Sequence, residues 1–233
     1  MIRLFTGFDL SVGVQVPATD GQVHYLFHVM RLKAGDSVLL FNGRDGEYEC
    51  EIGALNKKNG FFLPLRQTRA QMASSGPVLA MALIKKDNMD LVLQKATELG
   101  VSKIIPLIAR RSVVGKMNLE RANAIVTEAA EQCERLSVPE LTAPMDIRTF
   151  LSQCPADEKI VYLSERGQTN GTLKRGEKVC FVIGPEGGWE KAELEAFEKH
   201  ANAVSLNLGR LILRAETAAV AVLAAWRFDV FES

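Results

Sequence analysis

Hydrophobic and polar positions change rhythm once along this chain. As far as residue 71 the apolar stretches are short, broken by Thr19-Asp20-Gly21, Ala34-Gly35-Asp36, Asn42-Gly43, Asp45-Gly46 and Asn59-Gly60. Such clusters are hairpin punctuation. Residues 37–41 and 47–52 flank the turn at 42–46, residues 61–65 give a further strand, and one short helix fits near 25–32. The pattern predicts a small β-barrel over residues 1–72. Ala73-Ser74-Ser75-Gly76 marks a boundary. Beyond it, apolar runs at 78–84, 103–108, 159–163, 179–183 and 203–206 alternate with segments of helical period. Helices are predicted at 87–99, stopped by Gly100; at about 118–136, with Asn118 as N-cap; and near 146–152. Two more follow residue 188, the last ending near Trp226. Strands alternating with helices over residues 73–233 predict an α/β fold with a mostly parallel sheet covered on both faces.

Two loops stand out in the last third. The first, Gly184-Pro185-Glu186-Gly187-Gly188, follows the strand at 179–183; the second, Asn207-Leu208-Gly209-Arg210, follows the strand at 203–206. In an open α/β sheet, ligands bind beyond the carboxyl ends of the strands. Three glycines in five residues let a backbone pass close to a ligand, and Pro185 fixes one φ angle. A plain strand-to-helix turn would also use Gly and Pro. Arg214 and Glu216, charges set in the otherwise apolar stretch 211–223, call for a function.

Composition narrows the classes. Hydrophobic residues make up 47% of 233, enough for a substantial core, and 28 basic residues balance 28 acidic ones. Bulk charge therefore points to neither nucleic acid nor membrane, and any RNA-binding surface must be local. The four cysteines, at 50, 133, 154 and 180, show no Cys-x-x-Cys spacing and read as reduced thiols. His24 and His28 are one helical turn apart without a third ligand at a recognisable spacing, so no metal is expected. The opening Met1-Ile2-Arg3-Leu4-Phe5 does not read as a signal peptide, and no apolar run approaches the roughly 20 residues of a membrane span. The expectation is a cytoplasmic protein without a membrane partner.

Ile183-Gly184-Pro185-Glu186-Gly187-Gly188, followed by Leu208-Gly209 and Ile212-Leu213-Arg214-Ala215-Glu216-Thr217-Ala218, closely resembles the RsmE family of ribosomal RNA uridine methyltransferases, of the SPOUT class. Further matches cover nearly the whole chain. They are the histidine, Leu-Arg equivalent and Gly-Asp in residues 28–36; Lys95-Ala96-Thr97-Glu98-Leu99-Gly100-Val101; Ile105-Pro106-Leu107 with Arg110-Arg111-Ser112; and the helix signature at 128–135. Met30 replaces the usual leucine. Glu190 stands where serine often caps a helix, with Glu193 as its capping-box partner.

The resemblance implies an N-terminal PUA-like β-barrel that binds RNA, then a SPOUT α/β domain with a C-terminal trefoil knot. It also implies S-adenosyl-L-methionine as methyl donor, N3 of a uridine in 16S rRNA of the assembled small subunit as acceptor, and a homodimer. The donor site would comprise Leu163, Ser164, Ile183, Gly184, Pro185, Glu186, Gly187, Leu206, Leu208, Gly209, Ile212, Leu213 and Thr217, with Glu165 adjoining. Arg214 would act on charge developing in the base. The proton acceptor stays open among Glu216, Glu186 and water. RNA contacts would fall to Arg31, Lys33, Lys57, Lys58, Arg66, Arg69, Arg110, Arg111 and Arg135, the last sharing a helix face with Glu128 and Gln132. The alternatives are a SPOUT enzyme for another position such as a ribose 2′-hydroxyl, and a non-catalytic RNA-binding assembly factor.

Overall fold

The computed structural model describes residues 1–73, 75–164, 173 and 176–228; Glu165 lies outside them. The chain divides into two units, Met1–Ser74 with Ala130–Val138, and Ser75–Ala129 with Pro139–Ser233.

The first unit is built on β1 (Arg3–Phe5), β2 (Val16–Pro17), α1 (Asp20–His24), a π-helical turn (Tyr25–Val29), β3 (Ser37–Phe41), β4 (Glu47–Leu55) and β5 (Gly60–Arg69). They form one sheet in the order β1-β3-β4-β5-β2. Val38, Leu40, Cys50, Ile52 and Phe62 point inward onto Leu4, Leu10, Val16 and Leu26, so alternation along the strands builds the core. The turn between β3 and β4 is self-supporting: Asn42 Oδ1 accepts from the N–H groups of Arg44 and Asp45. Asp45 in turn accepts from Leu10 N–H and the Asn42 amide, which hold its carboxyl below the usual range. Gly46 has φ +91°, and a Cβ there would meet Arg69 O at 2.2 Å. The first helix starts earlier than its periodicity suggests, because Thr19 and Gln22 form a capping box around Asp20-Gly21.

A buried cation closes this unit. The Arg3 guanidinium pairs with Glu47 and donates to the carbonyls of Ala130 (3.2 Å), Glu131 (3.3 Å) and Arg135. It also lies 4.1 Å above the Phe41 ring.

The second unit contains β6 (Val78–Ala82), α2 (Lys86–Glu98), β7 (Lys103–Ile108), α3 (Leu119–Gln132) up to Ala129, β8 (Glu140–Leu141), β9 (Met145–Asp146), α4 (Ile147–Gln153), β10 (Glu158–Leu163), β11 (Lys178–Ile183), α5 (Lys191–Glu198), β12 (Ala203–Leu206) and α6 (Ala215–Arg227). Its sheet runs β12-β10-β11-β6-β7-β8, with β9 also on β7, and the pairings are parallel. Successive residues serve opposite faces. Ala80, Ala82, Tyr162 and Val182 pack with Ile147 and Phe150 of α4 and Phe197 of α5. On the other face Phe181 meets Trp226 of α6 edge-on at 5.8 Å.

Two sequence expectations change. The two-residue strands β8 and β9 are too short to leave an alternation. Helix α3 ends at Gln132 instead of near Leu136, because Glu134 takes a left-handed φ of +60° and Arg3 accepts the role of satisfying the terminal carbonyls. Arg135 therefore leaves the helix, off the face of Glu128 and Gln132, and its Nε donates to Ser137 O.

Candidate active site

At the carboxyl ends of β10, β11 and β12 lies a cavity of about 620 Å³. The end of β10 and the loops after β11 and β12 shape it. The glycine loop leaves β11 at Ile183, and Gly188 N–H returns to Pro185 O at 2.8 Å, with Gly188 at φ +68°. Gly184 lies against the Trp189 indole, where a Cβ would come within 3.0 Å of the ring. Trp189 Nε1–H donates to Leu163 O at 3.0 Å, which ties this loop to the end of β10. The indole itself rests edge-on against Phe197, which stacks on Tyr162. The loop after β12 is joined to β10 as well: Ser164 N–H donates to Leu206 O, Asn207 Nδ2 donates to Ser164 O, and Asn207 Oδ1 accepts from Gly209 N–H.

Of the residues expected to hold a donor, the cavity is lined by Leu163, Ser164, Ile183, Gly184, Pro185, Glu186, Gly187, Leu206, Leu208, Gly209, Ile212 and Leu213. Thr217 stands exposed on α6 and is not among the lining residues. Arg214 lines the cavity as N-cap of α6, its backbone extended at ψ 154°. Sequence reasoning did not count Gly188, Trp189, Leu194, Asn207, Leu211, Ala215 and Ala218 among the lining residues, and placed Arg111 with the RNA contacts alone. Leu211 and Ile212 are 81% and 70% exposed. Apolar side chains so exposed on a cavity wall mark a surface that a ligand or partner covers.

The carboxylates fall into structural roles. Glu186 Oε1 accepts from Lys85 N–H at 3.4 Å, at the N-cap of α2, which has no side-chain cap of its own. Glu193, only 8% exposed, accepts from Glu190 N–H through Oε2 and from Arg110 N–H through Oε1, both at 2.8 Å. Glu216 is buried in the first turn of α6, where negative charge suits a helix N-terminus. No hydrogen bond joins it to Arg214 among the described residues, and its Oε2 has no partner.

The remaining basic positions separate. Arg31, Lys33, Lys57 and Lys58 are exposed, the last two on the turn joining β4 and β5. Arg66 is tied to Glu49, and Arg69 to Glu47 and to Glu134 O. The His24 and His28 rings lie with centroids 5.1 Å apart, tilted by 40°. Among the described residues no His, Cys, Asp and Glu cluster fits a metal ion.

The thiols are muted. Burial pushes Cys50 up to about 12, burial with the nearby Glu158 charge does the same for Cys154, and complete burial raises Cys180 well above the usual thiol range. Native protein treated with iodoacetamide at mildly alkaline pH is therefore expected to keep these three unalkylated, and to lose that protection in strong guanidinium chloride. Peptide mass mapping checks it; rapid native labelling of Cys154 would refute the burial argument.

An RNA methyltransferase domain model matches residues 74–227, and an RNA methyltransferase PUA domain model matches residues 18–65. Ribosomal RNA small subunit methyltransferase E of Rickettsia conorii is 37% identical over 213 residues, 89% of this chain and 86% of that protein. Its Bacillus subtilis namesake is 33% identical over 227 residues, 89% and 87% respectively. Among solved structures, ribosomal RNA small subunit methyltransferase E from Neisseria gonorrhoeae, bound to S-adenosyl methionine, superposes with a TM-score of 0.88 at 31% identity, covering 98% of this chain and 97% of that one. A methyltransferase from Legionella pneumophila, in complex with the same cofactor, gives 0.88 at 29% identity with the same coverage.

Proposed function

The chain belongs to the RsmE family of RNA methyltransferases, and on that premise we propose that it moves a methyl group from S-adenosyl-L-methionine to N3 of one uridine in the 16S rRNA of the small ribosomal subunit. The observation that carries the reading is the strand-end cavity, where a glycine-lined loop, an apolar wall and two guanidinium groups meet. Its volume falls within the range of about 300–1,000 Å³ usual for cofactor sites. The donor would lie against the backbone of residues 184–187 and 206–213, with Leu163, Leu208 and Leu213 packing its adenine. When bound it supplies a methyl group already activated on a sulfonium, so no covalent enzyme intermediate is needed.

This chain's residues then have to position the acceptor. N3 of uridine is an imide nitrogen, and negative charge spreads onto the ring carbonyl oxygens as its proton leaves. Arg214, at the N-terminal end of α6, faces that charge with a rigid fork of donors and the positive end of a 13-residue helix. Such an interaction strengthens toward the transition state and so lowers the barrier. Glu186 accepts from the start of α2 and Glu216 lies off the cavity wall, which favours solvent water as the proton acceptor. The trefoil threading belongs to the same reading, supported by the likeness to the RsmE family.

Residues 1–72 serve as the RNA-binding unit and 73–233 as the catalytic one, in a homodimer acting on assembled subunits in the cytoplasm. No helix among the described residues is long and apolar enough to cross a membrane. Lys57 and Lys58 carry RNA contact with Arg31 and Lys33, whereas Arg66 and Arg69 are already paired with carboxylates. Replacing Lys57 and Lys58 by Glu is expected to weaken subunit binding about tenfold or more and to flatten its salt dependence, while Arg66→Ala has the smaller effect. Filter binding over a salt series distinguishes them; equal effects would remove the hairpin tip from the interface.

The reaction itself is tested with radiolabelled S-adenosyl-L-methionine and small subunits lacking their native uridine methylation, followed by nucleoside mass spectrometry. N3-methyluridine at one position is the expected product. Label on a ribose 2′-hydroxyl would keep the fold and replace the acceptor, and tight donor binding without label would indicate a binding factor.

A further inference from the structure

The glycine loop forms one wall of the cavity, yet its own composition does little to hold it there. Residues 184, 187 and 188 are glycines, which lose more backbone freedom on ordering than any other residue. A ligand seated between this loop and the end of β10 needs the two already at the right spacing. Every conformation in which the free loop lies elsewhere weakens binding in proportion to its population.

Trp189 spans that gap. The pairing of β10 with β11 ends at Tyr162 and Val182. One residue farther along β10, the Trp189 Nε1–H donates to Leu163 O at 3.0 Å, so a side chain from beyond the glycines extends the connection past the last backbone pair. A buried indole N–H has to find an acceptor, and Trp189 is only 9% exposed. Packing holds the ring in register for this bond. A Cβ on Gly184 would meet indole atoms at 3.0–3.3 Å, so the glycine admits the ring. The Phe197 ring meets the indole edge-on at 5.2 Å and stacks on Tyr162 at 5.1 Å, tilted by 13°. Tyr162 in turn hydrogen-bonds Ser205 of β12. On the α5 side the following residue is fixed by the Glu190 N–H donating to Glu193 at 2.8 Å. The indole is thereby referred to β10, β12 and α5 together.

We propose that Trp189 is a positioning residue for the methyl donor: its indole N–H holds the glycine loop and the end of β10 at the spacing the donor fits. This rests on reading the cavity as the donor site. The hydrogen bond then governs donor affinity and leaves the chemical step alone, because Arg214, assigned to the acceptor's charge, stands at the start of α6 and not on this tether.

Two substitutions separate tether from packing. Trp189→Phe removes the N–H and keeps an aromatic ring, whereas Phe197→Leu loosens the stack and keeps the N–H. Donor affinity is measured by calorimetry, methyl transfer by single turnover on unmethylated small subunits, and amide hydrogen exchange by NMR. For Trp189→Phe the donor dissociation constant should rise about three- to tenfold, the range that one net hydrogen bond spans. The rate at saturating donor should stay within about twofold of the wild type. The Gly188 N–H, which donates to Pro185 O, should exchange faster in the free variant and recover at saturating donor, while the amides of β10 and β11 stay protected. Phe197→Leu should lower the thermal midpoint more than Trp189→Phe does and keep donor affinity within about twofold. Unchanged donor affinity in Trp189→Phe, a saturated rate that falls with it, or equal affinity losses in both variants would overturn the proposal and leave the indole as core packing. A wild type that binds the donor but transfers no methyl would sink the methyltransferase reading instead, with the affinities and exchange rates still judging Trp189.

Discussion

Arg214→Ala is expected to lower kcat about 10²–10³-fold with S-adenosyl-L-methionine still bound, the loss seen when one preorganised donor to a developing anion is removed. The reason is the sharing of tasks on the cavity wall. The cavity wall proposed for the donor is largely backbone and apolar, from Gly184 to Gly187 and from Leu206 to Leu213, and the substitution leaves it in place. Arg214 has no side-chain capping bond to its own helix, so truncation does not unfasten α6. Arg214→Lys should recover part of the rate, because an ammonium restores charge without the planar fork. Single-turnover methyl transfer with saturating donor, paired with calorimetric donor affinity, separates the steps. A tenfold or greater loss of donor affinity with the chemical rate preserved would move Arg214 to the donor's carboxylate and leave the uridine's charge to another group.

The second large effect is on stability. Arg3→Met should destabilise the first unit by about 3–5 kcal/mol, the usual cost of breaking a buried ion pair by removing one partner. The side chains of Arg3 and Glu47 are 6% and 4% exposed, so Glu47 would be left charged in the interior. Thr68 Oγ1–H would still donate to it at 2.9 Å, and Arg69 stands 3.8 Å away, too little to replace a guanidinium in contact. The carbonyls of Ala130, Glu131 and Arg135 would lose their shared donor at the same time. The lowest thermal unfolding midpoint should fall by about 10 °C or more. Arg3→Met combined with Glu47→Leu should recover much of that loss, since replacing both charges by apolar groups is often close to neutral. A fall under about 2 °C in the single variant would mean that water or Arg69 compensates, and the pair would lose its place as the fastening of this unit.

The legible parts of this protein were those fixed by neighbours in the chain. β7 and β12 have the bounds their apolar runs predict, and α2 ends at Glu98, next to Leu99 and the stop at Gly100. Strand periodicity and turn chemistry act over a few residues, so they survive in one-dimensional text. The two loops of the candidate site were legible for the same reason: glycines at 184, 187 and 188 and charges at 214 and 216 violate the local apolar pattern. Glu193 as partner of Glu190 was also readable, being a capping-box spacing.

What the sequence could not state is which distant groups meet. Arg111 reaches Gly187 only because β6 alone separates β7 from β11, a fact of strand order and not of spacing. Glu186 accepts from a backbone N–H at the start of α2, 101 residues earlier, a partner that its place in the glycine loop does not announce. Helix α3 stops four residues before its apolar pattern does, because Arg3, more than 120 residues away, supplies donors to its last carbonyls. Sequence by itself determined the elements, the two-part organisation it predicts and the loops that carry chemistry, since each follows from local backbone preference and from burial of one face. Tertiary structure alone decided the partners of each charge, because a hydrogen bond or ion pair depends on distances of about 3 Å that many chain paths through the same elements would not satisfy.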